Sequence, residues 1–573
     1  MADRQIGYPS IEKPWMKYYD YASTIQIKSE TVYAHFINQN PSIDSIALEY
    51  FNNKISYRKY IENIENSKRC FQAIGIKKGD VVTLCMPTIP EVFYIFFALN
   101  QIGAIANFID PRTNNEFIRN NLKDTNSRAL IYVDAVHDKF EDIKTNSVLK
   151  NIYYVTVSQS FPSFLKTLYD LKNRIVYRKI ESLSHKRWTG GWKEKSNDDY
   201  PIEAVSKEDT AAIVYTSGTT ELPKGAILTN KNIIALIIQN KICDYGWEKN
   251  DKFLEIMPPF IAYGLVCGIV IPTCIGMHII IIPKFEQKAF PDLMKKYKPN
   301  HIMGVPSMME DLSKDAKMAN ADLAYLKTVV VGGDSISIKS EEYINEYLEK
   351  HNCKAKIMKG YGMTEMSSSA VFTRNKDCNL PGSVGIPLVG NNVKIIDPDS
   401  GEELRYGENG EICLTGPTLI QGYFNNTELT EAVFKIENGE RWIHSGDIGY
   451  MTEDGILFIE GRSKRLIIRY DGFKVIPGLI EKALCLDDDV NECAVVGMKD
   501  VAHARGQLPV AFVVLNRDGN KNDVEKRLTI LCQSKLPEYE QPAKIVFIEK
   551  LPLTSIGKTN YKELAKMIED SCP

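Results

Sequence analysis

One twelve-residue segment, Tyr215–Ala226, carries the side chains best suited to chemistry in this sequence, and it reads YTSGTTELPKGA. Five hydroxyl residues surround a glycine, and a proline, a lysine and a second glycine follow. Backbone N–H groups, hydroxyl donors and one ammonium in a short loop can bind a polyanion. The segment is not a Walker P-loop, because its lysine precedes the glycine. It predicts a phosphate-binding loop, with an ordinary polar loop as the alternative.

A second segment, Gly360–Glu365, reads GYGMTE. Its two glycines allow the backbone to approach a flat ligand, and Tyr361 can stack on a base. Thr364 can donate a hydrogen bond to a phosphate oxygen, and Glu365 offers the hard oxygen that Mg²⁺ prefers. The two segments together predict a nucleotide site.

The elements that must position these segments alternate between strand and helix. The run Ala211–Val214 is short and apolar, which predicts a buried strand leading into the phosphate loop. The same alternation on both sides of the loop predicts parallel βαβ units in two doubly wound halves. The predicted strands are 81–86, 104–108, 129–133, 301–304 and 328–331, and the predicted helices are 91–101, 230–240, 306–318 and 340–349.

The texture changes after residue 391. Short alternating strands and turns between Asn392 and Glu460 predict a small β-rich subdomain. A new mixed unit begins after Gly461. We therefore expect an α/β protein with a large N-terminal domain of two doubly wound halves plus a small β-rich subdomain, and a small α+β C-terminal domain.

Composition excludes several classes of protein. The 573 residues exceed one ordinary domain, and 44% hydrophobic with 25% charged residues is typical of a globular protein. A net charge of −3 gives no reason to expect nucleic acid as a partner. The twelve cysteines form no CxxC pair, so we expect neither a zinc site nor a disulfide framework. The first residues contain no apolar signal segment, and we expect a soluble, cytoplasmic protein.

Two apolar runs and one basic segment need separate interpretation. The uncharged run Ile256–Pro283 could span a bilayer by length, but its prolines and glycines predict a loop, a buried helix and a strand at His278–Ile282. The run Val92–Ile109 likewise predicts a buried helix followed by a strand. The segment Lys166–Lys195 holds nine Lys/Arg residues against three acidic ones, with Trp188 and Trp192 among them. It predicts a solvated helix and loop, and weak peripheral membrane contact is the alternative.

The order of residues in the two segments closely resembles the adenylate-forming superfamily, which includes acyl-CoA synthetases, luciferases and peptide-synthetase adenylation domains. The resemblance continues in four further segments: Val331–Ser335, Trp442–Asp447, Gly461–Lys464 and Pro552–Lys558. It implies ATP and Mg²⁺ as cofactors. The nucleotide-binding residues that it implies are Thr216, Ser217, Gly218, Thr219, Thr220, Gly333, Gly360, Tyr361, Gly362, Asp447 and Arg462.

The resemblance also assigns roles. Lys224, Thr364, Glu365 and Lys558 are the expected catalytic residues, and Glu365 with Thr220 is expected to hold the metal. Asp447 is expected to accept hydrogen bonds from both ribose hydroxyls, since one carboxylate can bind two donors.

The same resemblance divides the chain. We expect an N-terminal AMP-binding domain over residues 1–461, a hinge over 462–465 and a mobile C-terminal domain over 466–573. Lys464 is the expected hinge residue. The loop at Gly472 is expected to line the path of the attacking thiol, where a missing side chain suits a narrow tunnel.

The expected substrate pocket points to an apolar acid. Its residues are Phe260, Ile261, Tyr263, Gly264, Val305, Met308 and Gly332. The segment Pro259–Gly264 has no acidic residue to hold an α-ammonium, so an amino acid is disfavoured and a fatty or aryl acid is favoured. Because no carrier domain follows Lys558, free CoA is the first choice of thiol and a separate acyl carrier protein is the second.

Three positions depart from the family pattern. Glu221 stands where the phosphate loop usually has glycine, and Ile261 replaces the usual histidine or aromatic residue of the acyl pocket. Lys359 replaces a frequent glutamine and could meet a polar group or pair with Asp334.

The predicted function is ATP-dependent activation of a carboxylic acid to an acyl-adenylate with release of pyrophosphate, followed by transfer to the thiol of CoA. A non-catalytic ATP-binding or membrane-associated scaffold is the alternative of another class. The presence of Glu365, Asp447, Arg462 and Lys558 together argues against it, because binding alone does not need all four.

Overall fold

Alternating apolar strands and helices build two large sheets and a separate C-terminal unit. The computed structural model describes residues 7–20, 25–39, 42–189, 203–216, 223–374, 377–503, 506–516, 521–553 and 559–569. Within these ranges the α-helices are α1 Pro9–Glu12, α2 Val32–Asn38, α3 Tyr57–Ala73, α4 Pro90–Ile102, α5 Asn115–Asp124, α6 Ser163–Lys172, α7 Arg174–Ser182, α8 Asn230–Cys243, α9 Ile271–Ile275, α10 Phe290–Tyr297, α11 Pro306–Lys314, α12 Ile338–Lys350, α13 Thr427–Val433, α14 Pro477–Leu484, α15 Lys521–Lys535 and α16 Tyr561–Glu569.

Strands are observed at the positions where the sequence predicts them, within a few residues at their ends. In chain order they are β1 Ile46–Tyr50, β2 Asn53–Ser56, β3 Val81–Cys85, β4 Ile105–Phe108, β5 Ala129–Val133, β6 Asn151–Val155, β7 Lys186–Arg187, β8 Thr210–Tyr215, β9 Gly225–Thr229, β10 Lys252–Glu255, β11 His278–Ile281, β12 His301–Gly304, β13 Thr328–Gly332, β14 Ile357–Tyr361, β15 Val371–Phe372, β16 Ser383–Pro387, β17 Asn392–Ile396, β18 Gly410–Thr415, β19 Phe434–Glu437, β20 Glu440–Met451, β21 Leu457–Arg462, β22 Ile467–Ile468, β23 Lys474–Val475, β24 Val490–Lys499, β25 Gln507–Leu515 and β26 Lys544–Phe547. The predicted helix 306–318 divides into α11 and a 3₁₀ turn at Ala316–Met318.

The first sheet has the strand order β7-β6-β5-β3-β4-β8-β9. All its strands are parallel except β9, which returns antiparallel to β8 after the phosphate-loop segment. The second sheet contains the parallel strands β1-β11-β10-β12-β13-β14. These two parallel sheets are the two predicted doubly wound halves, which are confirmed.

The β-rich part is also confirmed, and it continues the second sheet. Beyond β14 the hydrogen-bonded order runs β15-β16-β21-β20-β18-β17, and these neighbours are antiparallel. The sequence alone indicated a separate subdomain, because hairpin signals are local whereas the join through β15 and β16 is a long-range pairing.

Buried helices fill the space between the sheets. In α4 every residue except Gln101 is buried, since the helix is apolar on all sides. It ends where Gly103 adopts a left-handed φ of +74°. The uncharged run Ile256–Pro283 forms a π-helix at Tyr263–Val270, then α9 and β11, and lies in the same core. Among the described residues, no helix combines the length and the apolar character that crossing a bilayer demands.

A pair of short helices, α6 and α7, packs on the outside of the first sheet beyond β6; we call it the outer helix pair. Its inner side is held by polar contacts, and its outer side carries exposed apolar residues. Trp188, expected among solvated residues, is instead buried against Phe71 and Tyr153. Trp192 lies outside the described residues.

The C-terminal unit combines β24-β25-β26 with α14, α15 and α16, as the predicted α+β domain requires. The eleven cysteines within the described residues form no disulfide with one another.

Glu91, in the first turn of α4, predicts a pH dependence of stability. It is buried, Ser160 Oγ donates to its Oε1 over 2.6 Å, and burial raises its pKa from 4.5 to about 7. The folded protein therefore holds a proton that the unfolded chain releases. This contribution to the free energy of unfolding is fully present below about pH 4.5 and is lost, by about 3 kcal/mol, as the pH rises to 7.

Glu91→Gln should remove this slope, so urea unfolding at about pH 5 and about pH 8 should show the wild type losing stability relative to the variant. Glu116→Gln is the matched control, because Glu116 stands at the same helical position in α5 but is exposed. Parallel pH profiles of wild type and Glu91→Gln would contradict the prediction.

Candidate active site

The candidate site lies where the parallel strands of the second sheet end. Gly304, Gly332 and Tyr361 terminate β12, β13 and β14, so the loops that follow these strands meet at one edge. The carboxyl edge of a parallel sheet is the usual place for a ligand crevice in α/β proteins. Tyr215, at the end of β8, leads into the phosphate-loop segment.

Tyr361, Asp447 and Arg462 form one connected group. The Tyr361 hydroxyl donates to Asp447 Oδ2 over 2.7 Å, and Arg462 Nε lies 2.8 Å from Asp447 Oδ1. Asp447 and Arg462 face each other across β20 and β21. Burial, followed by the nearby Asp447, raises the pKa of Tyr361 far above its ordinary value, so the phenol keeps its proton. A carboxylate has about four acceptor positions, and this one can therefore take further donors.

The strand segment beneath Asp447 is fixed by a second polar group. Glu411 Oε1 accepts from the Gly446 N–H over 2.9 Å, and Glu411 Oε2 lies 3.2 Å from His444 Nδ1. Glu411, Cys413 and His444 are also close enough to be considered as metal ligands. Since both Glu411 oxygens already have partners, we interpret the group as support for Asp447.

Glu365 is held by a residue that the sequence interpretation missed. The Tyr423 hydroxyl donates to Glu365 Oε1 over 2.5 Å, and Lys224 Nζ lies 5.8 Å from the centre of the Tyr423 ring. The Ile420 N–H donates to the Glu365 carbonyl over 3.0 Å. Tyr423 thus lies between the two charged groups that the sequence singled out. Its only sequence signal is an aromatic residue after glycine in a turn.

Backbone pairing brings Tyr423 to this place. The Phe424 N–H donates to Gly225 O over 2.7 Å, and the Ile227 N–H donates to Gly422 O over 3.0 Å. The segment Gly422–Phe424 therefore runs beside β9, which begins directly after Lys224. The Thr216 N–H donates to Lys224 O over 3.0 Å and closes the base of the phosphate loop. The predicted loop residues Ser217, Gly218, Thr219, Thr220 and Glu221 lie outside the described residues.

Close backbone approach explains the glycines. A Cβ on Gly362 would lie 1.7 Å from Ser368 O, and one on Gly332 would lie 3.1 Å from Gly360 O. Gly333 has a φ of +77°, which favours glycine. The predicted glycines are thus required by local packing, whichever ligand they face.

The backbone directly after Thr364 and Glu365 is strained. Ser367 and Ser368 adopt φ values of +58° and +130°, which L-residues rarely do. Each such residue costs on the order of 1–3 kcal/mol, and such residues cluster at functional sites. Ser367 Oγ donates to Thr418 O over 2.8 Å, which holds this conformation.

The expected acyl-pocket residues lie beside the same edge. Tyr263 Oη is 3.5 Å from Gly304 O, and Met308 packs where a Cβ of Gly304 would be. Val305 occupies the N-cap position of α11. Phe260 is buried beneath the Arg112 guanidinium. Ile261 is half-buried.

The backbone at Gly264 lies very close to the backbone at Pro258, which the sequence did not reveal. Its Cβ position lies 1.9 Å from Pro258 O, and it belongs to the π-helix Tyr263–Val270. Beneath that helix lies Glu255, fully buried, where burial raises the pKa of its carboxyl far above the ordinary value. An acidic side chain therefore does lie under the pocket elements, outside the segment Pro259–Gly264 that was searched for one.

Lys359 does not pair with Asp334. Its Nζ lies 2.5 Å from Glu341 Oε1 and donates to Leu380 O over 2.8 Å. Both side chains are only 4% exposed. The pair ties β14 to α12, so the suggested contact with Asp334 is corrected, because Lys359 points to the helix side of the sheet.

The C-terminal unit approaches the site through α16. The Arg465 guanidinium lies 3.6 Å from the centre of the Tyr561 ring. Burial is the main cause of the raised pKa of Tyr561, and the carboxylates of Glu481 and Asp334 add to it. Asp334 follows Gly333, so the start of α16 lies near the site. Lys558 lies outside the described residues. It directly precedes Thr559, which pairs with Leu553 in the antiparallel sense.

Lys464 and Gly472 both lie in exposed turns. Lys464 is exposed in a 3₁₀ turn, Ser463–Arg465, directly after β21. Gly472 is exposed in the turn between β22 and β23, with a φ of +86° and no atom of another described residue within 4 Å of its Cβ position, its chain neighbours apart. In this arrangement of the domains, the space beside Gly472 is open.

Tyr423→Phe should lower kcat/KM for ATP about tenfold, because it removes a hydrogen bond to a charged carboxylate and leaves the ring in place. KM for the expected carboxylic acid substrate should stay unchanged. Tyr406→Phe is the matched control, since its hydroxyl also donates to a glutamate, Glu12, but at the surface. Equal effects of the two changes would show that Tyr423 has no special role.

Comparison with known families gives two matches. The model of AMP-binding enzymes matches residues 34–424, and the model of their C-terminal domain matches residues 479–558. The chain is 30% identical to probable 4-coumarate–CoA ligase 1 of Dictyostelium discoideum, over 94% of this chain and 98% of the relative. It is 28% identical to a long-chain-fatty-acid–CoA ligase of Bacillus subtilis, over 96% of this chain and 98% of the relative.

Solved structures show the same fold. The ATP-bound MatB of Rhodopseudomonas palustris is 21% identical, with a TM-score of 0.79 over 95% of this chain and 100% of that chain. The anthranilate–CoA ligase AuaEII with anthranoyl-AMP is 22% identical, with a TM-score of 0.77 over 95% of this chain and 99% of that chain.

Proposed function

The chain belongs to the family of AMP-binding enzymes and is an AMP-forming acid–thiol ligase, and from this premise we propose that it activates a fatty or aryl carboxylic acid. The acid attacks the α-phosphorus of ATP, pyrophosphate leaves, and an acyl-adenylate forms. The thiol of CoA then attacks the acyl carbon of this mixed anhydride, and AMP is released.

The connected group of Tyr361, Asp447 and Arg462 carries the proposal. A buried carboxylate beside one phenol and one guanidinium can also accept from the hydroxyls of a ribose, and we assign Asp447 to that contact. The neutral Tyr361 ring beside it provides a face for adenine. Gly333, Gly360 and Gly362 allow the nucleotide to lie close to the backbone.

Charge neutralisation is the main catalytic contribution of the protein. We assign Lys224 and Lys558 to the phosphate and carboxylate charges, and Thr364 to a hydrogen bond with the α-phosphate. Thr216 and the loop residues Ser217, Gly218, Thr219 and Thr220 would bind the phosphate chain. These groups accelerate the reaction by positioning two anions against each other.

The site fits Mg²⁺ as judged by its donors. Glu365 is half-buried and anchored by Tyr423 through one oxygen, so its carboxylate keeps further acceptor positions for a hard cation. Glu365 and Thr220 would hold the ion. When bound, Mg²⁺ supplies positive charge to the phosphate oxygens of ATP.

An apolar acid suits the proposed pocket of Phe260, Ile261, Tyr263, Met308 and neighbouring residues. Val305, Gly264 and Gly332 complete it. The relatives include ligases named for an aryl acid and for long-chain fatty acids. Both classes are therefore retained, and an acyl carrier protein remains the second choice of acceptor.

The domain boundaries are part of the proposal. An N-terminal domain over 1–461, a hinge over 462–465 and a C-terminal domain over 466–573 agree with the exposed turn at Lys464. Rotation about Lys464 would exchange the start of α16 for the Gly472 turn at the site, and the Gly472 turn would then line the thiol path.

An acid panel with Mg-ATP tests the function directly. Fatty and aryl acids should each release pyrophosphate, free amino acids should not, and added CoA should give a thioester detectable by mass. Release with an amino acid alone would overturn the substrate class. Pyrophosphate release without thioester from CoA would favour the carrier protein, and no release with any acid would favour the non-catalytic scaffold.

A further inference from the structure

The outer helix pair carries an exposed apolar stripe beside basic side chains, and we propose that it docks the protein onto the surface of an anionic phospholipid membrane. The proposal concerns residues 163–187 only and does not depend on the proposed function. It takes up the basic segment that the active-site chemistry leaves unused.

The stripe is formed by large apolar side chains that face solvent. Phe164 and Ile175 are 73% and 81% exposed, and three leucines between them are exposed as well. Phe164, Leu168 and Leu171 repeat every three or four residues and therefore lie on one side of α6, and Ile175 follows in the first turn of α7. Leu165 flanks them. Single exposed apolar residues are common, but a continuous row of five marks an interaction site.

Basic side chains accompany the stripe. Residues 163–182 hold five Lys/Arg against two Asp/Glu, on a chain whose net charge is −3. Lys172, Arg174 and Arg178 are exposed, and none of them forms an ion pair with any described residue. The apolar row together with these charges is the pattern of a helix that lies in a membrane interface.

Both acidic side chains of the pair have partners elsewhere in the protein. Asp170 accepts from Ser158 Oγ over 2.6 Å, and Arg187 Nη2 lies 3.2 Å from its other oxygen. The Tyr154 hydroxyl donates to Glu181 over 2.9 Å. Hydrogen bonds and one ion pair therefore partly compensate these negative charges, while the basic side chains of Lys172, Arg174 and Arg178 remain exposed.

Inner contacts also attach the pair to the first sheet. The Tyr177 hydroxyl donates to Asp134 over 3.1 Å, and Tyr177 stacks on Tyr154. Tyr177 and Ile180 are buried. The inner side of the pair is thus already packed through both polar and apolar contacts. The exposed stripe is a separate, outward surface of the pair.

Charge decides between lipid and a second copy of this chain. Two copies meeting at their stripes would bring the same basic side chains together, and like charges at an interface oppose association. An anionic leaflet attracts those same charges and accepts the apolar row among its acyl chains. The lipid surface is therefore the occupant that the pair fits.

Co-sedimentation with vesicles tests the proposal on the full chain. The protein should bind mixed phosphatidylcholine–phosphatidylserine vesicles, bind pure phosphatidylcholine far more weakly, and dissociate as salt is raised. Changing Lys172, Arg174 and Arg178 together to Gln should weaken binding about a hundredfold, at about fivefold for each charge. Phe164→Ser, Leu168→Ser and Leu171→Ser together should weaken it more than about tenfold.

Matched controls separate the surface from general charge and general exposure. Lys284, Lys317 and Lys350 are exposed lysines elsewhere, and their joint change to Gln should leave binding within about twofold of wild type. Ile436→Ser and Ile530→Ser remove exposed apolar side chains elsewhere and should also be neutral. Circular dichroism and thermal unfolding of each variant confirm folding without any activity assay.

Three results would overturn the proposal. They are no binding to anionic vesicles, equal binding to neutral and anionic vesicles, and binding that the six changes in the outer helix pair leave intact. Self-association in sedimentation analysis that the serine changes abolish would instead identify a second copy as the occupant.

Discussion

Lys558→Ala is expected to slow formation of the acyl-adenylate by about a hundred- to a thousandfold. The lysine ammonium would lie between the substrate carboxylate and the α-phosphate, and removing such a desolvated charge costs about 3–4 kcal/mol. Conversion of preformed acyl-adenylate with CoA should stay nearly intact, because the C-terminal domain would have rotated away in that step. Measuring the two half-reactions separately gives the test, with the exposed Lys562→Ala as control.

The start of α16 gives this prediction a structural basis. Asp334 contributes to the raised pKa of Tyr561, and Tyr561 stands three positions after Lys558. This placement of Tyr561 is consistent with the proposed role of Lys558 in adenylation. Equal slowing of both half-reactions by Lys558→Ala would contradict domain rotation and leave the lysine in a single fixed site.

Gly472→Trp should produce the reverse pattern, since it would obstruct the thiol path and spare adenylation. A side chain at a φ of +86° is strained in any case. Gly439→Trp matches that strain, because Gly439 has a φ of +79° and open space around its Cβ position. Only the change at Gly472 should slow the thioester step.

Asp447→Asn is expected to lower kcat/KM for ATP about a hundredfold, or about 3 kcal/mol. The amide keeps the shape of the carboxylate but loses its charge, and it presents an N–H₂ group to partners that are themselves donors. Tyr361 and Arg462 lose a charged acceptor, and under the proposed assignment the ribose hydroxyls would lose it too. Steady-state kinetics at saturating acid measure the effect.

Asp454→Asn serves as the control, because Asp454 is an exposed carboxylate in the turn between β20 and β21. It should change kcat/KM for ATP by less than about twofold. A large change in KM for the acid, with ATP kinetics unaltered, would refute the assignment of Asp447 to the ribose.

Local patterns were sufficient for most elements of this fold. Strands such as β5 and β12 begin and end at the predicted residues, because an apolar run between turn residues specifies both ends. The sequence singled out Tyr361, Asp447 and Arg462 because each belongs to a short ordered segment. What the segments could not reveal is that the three touch, since this depends on the register of β20 against β21.

The missed features all depend on contacts distant in sequence. Tyr423 meets Glu365 across 58 positions, and no periodicity connects them. Lys359 meets Glu341 on a helix that precedes its own strand, whereas sequence proximity to the glycine pair suggested Asp334. The π-helix at Tyr263–Val270 was expected only as a helix, because its wide turn follows from packing of Gly264 and Gly268 against Pro258 and Glu255.

The unbroken strand order from β14 to β20 has a consequence for how the protein opens. Tyr361 ends β14 and Asp447 lies on β20, and the ladder β15-β16-β21 joins them without a gap. Cooperative opening units commonly follow such supersecondary continuity. Amide protons around Tyr361 and Asp447 should therefore exchange with solvent together. The two residues would lose and regain their native positions in a single opening event.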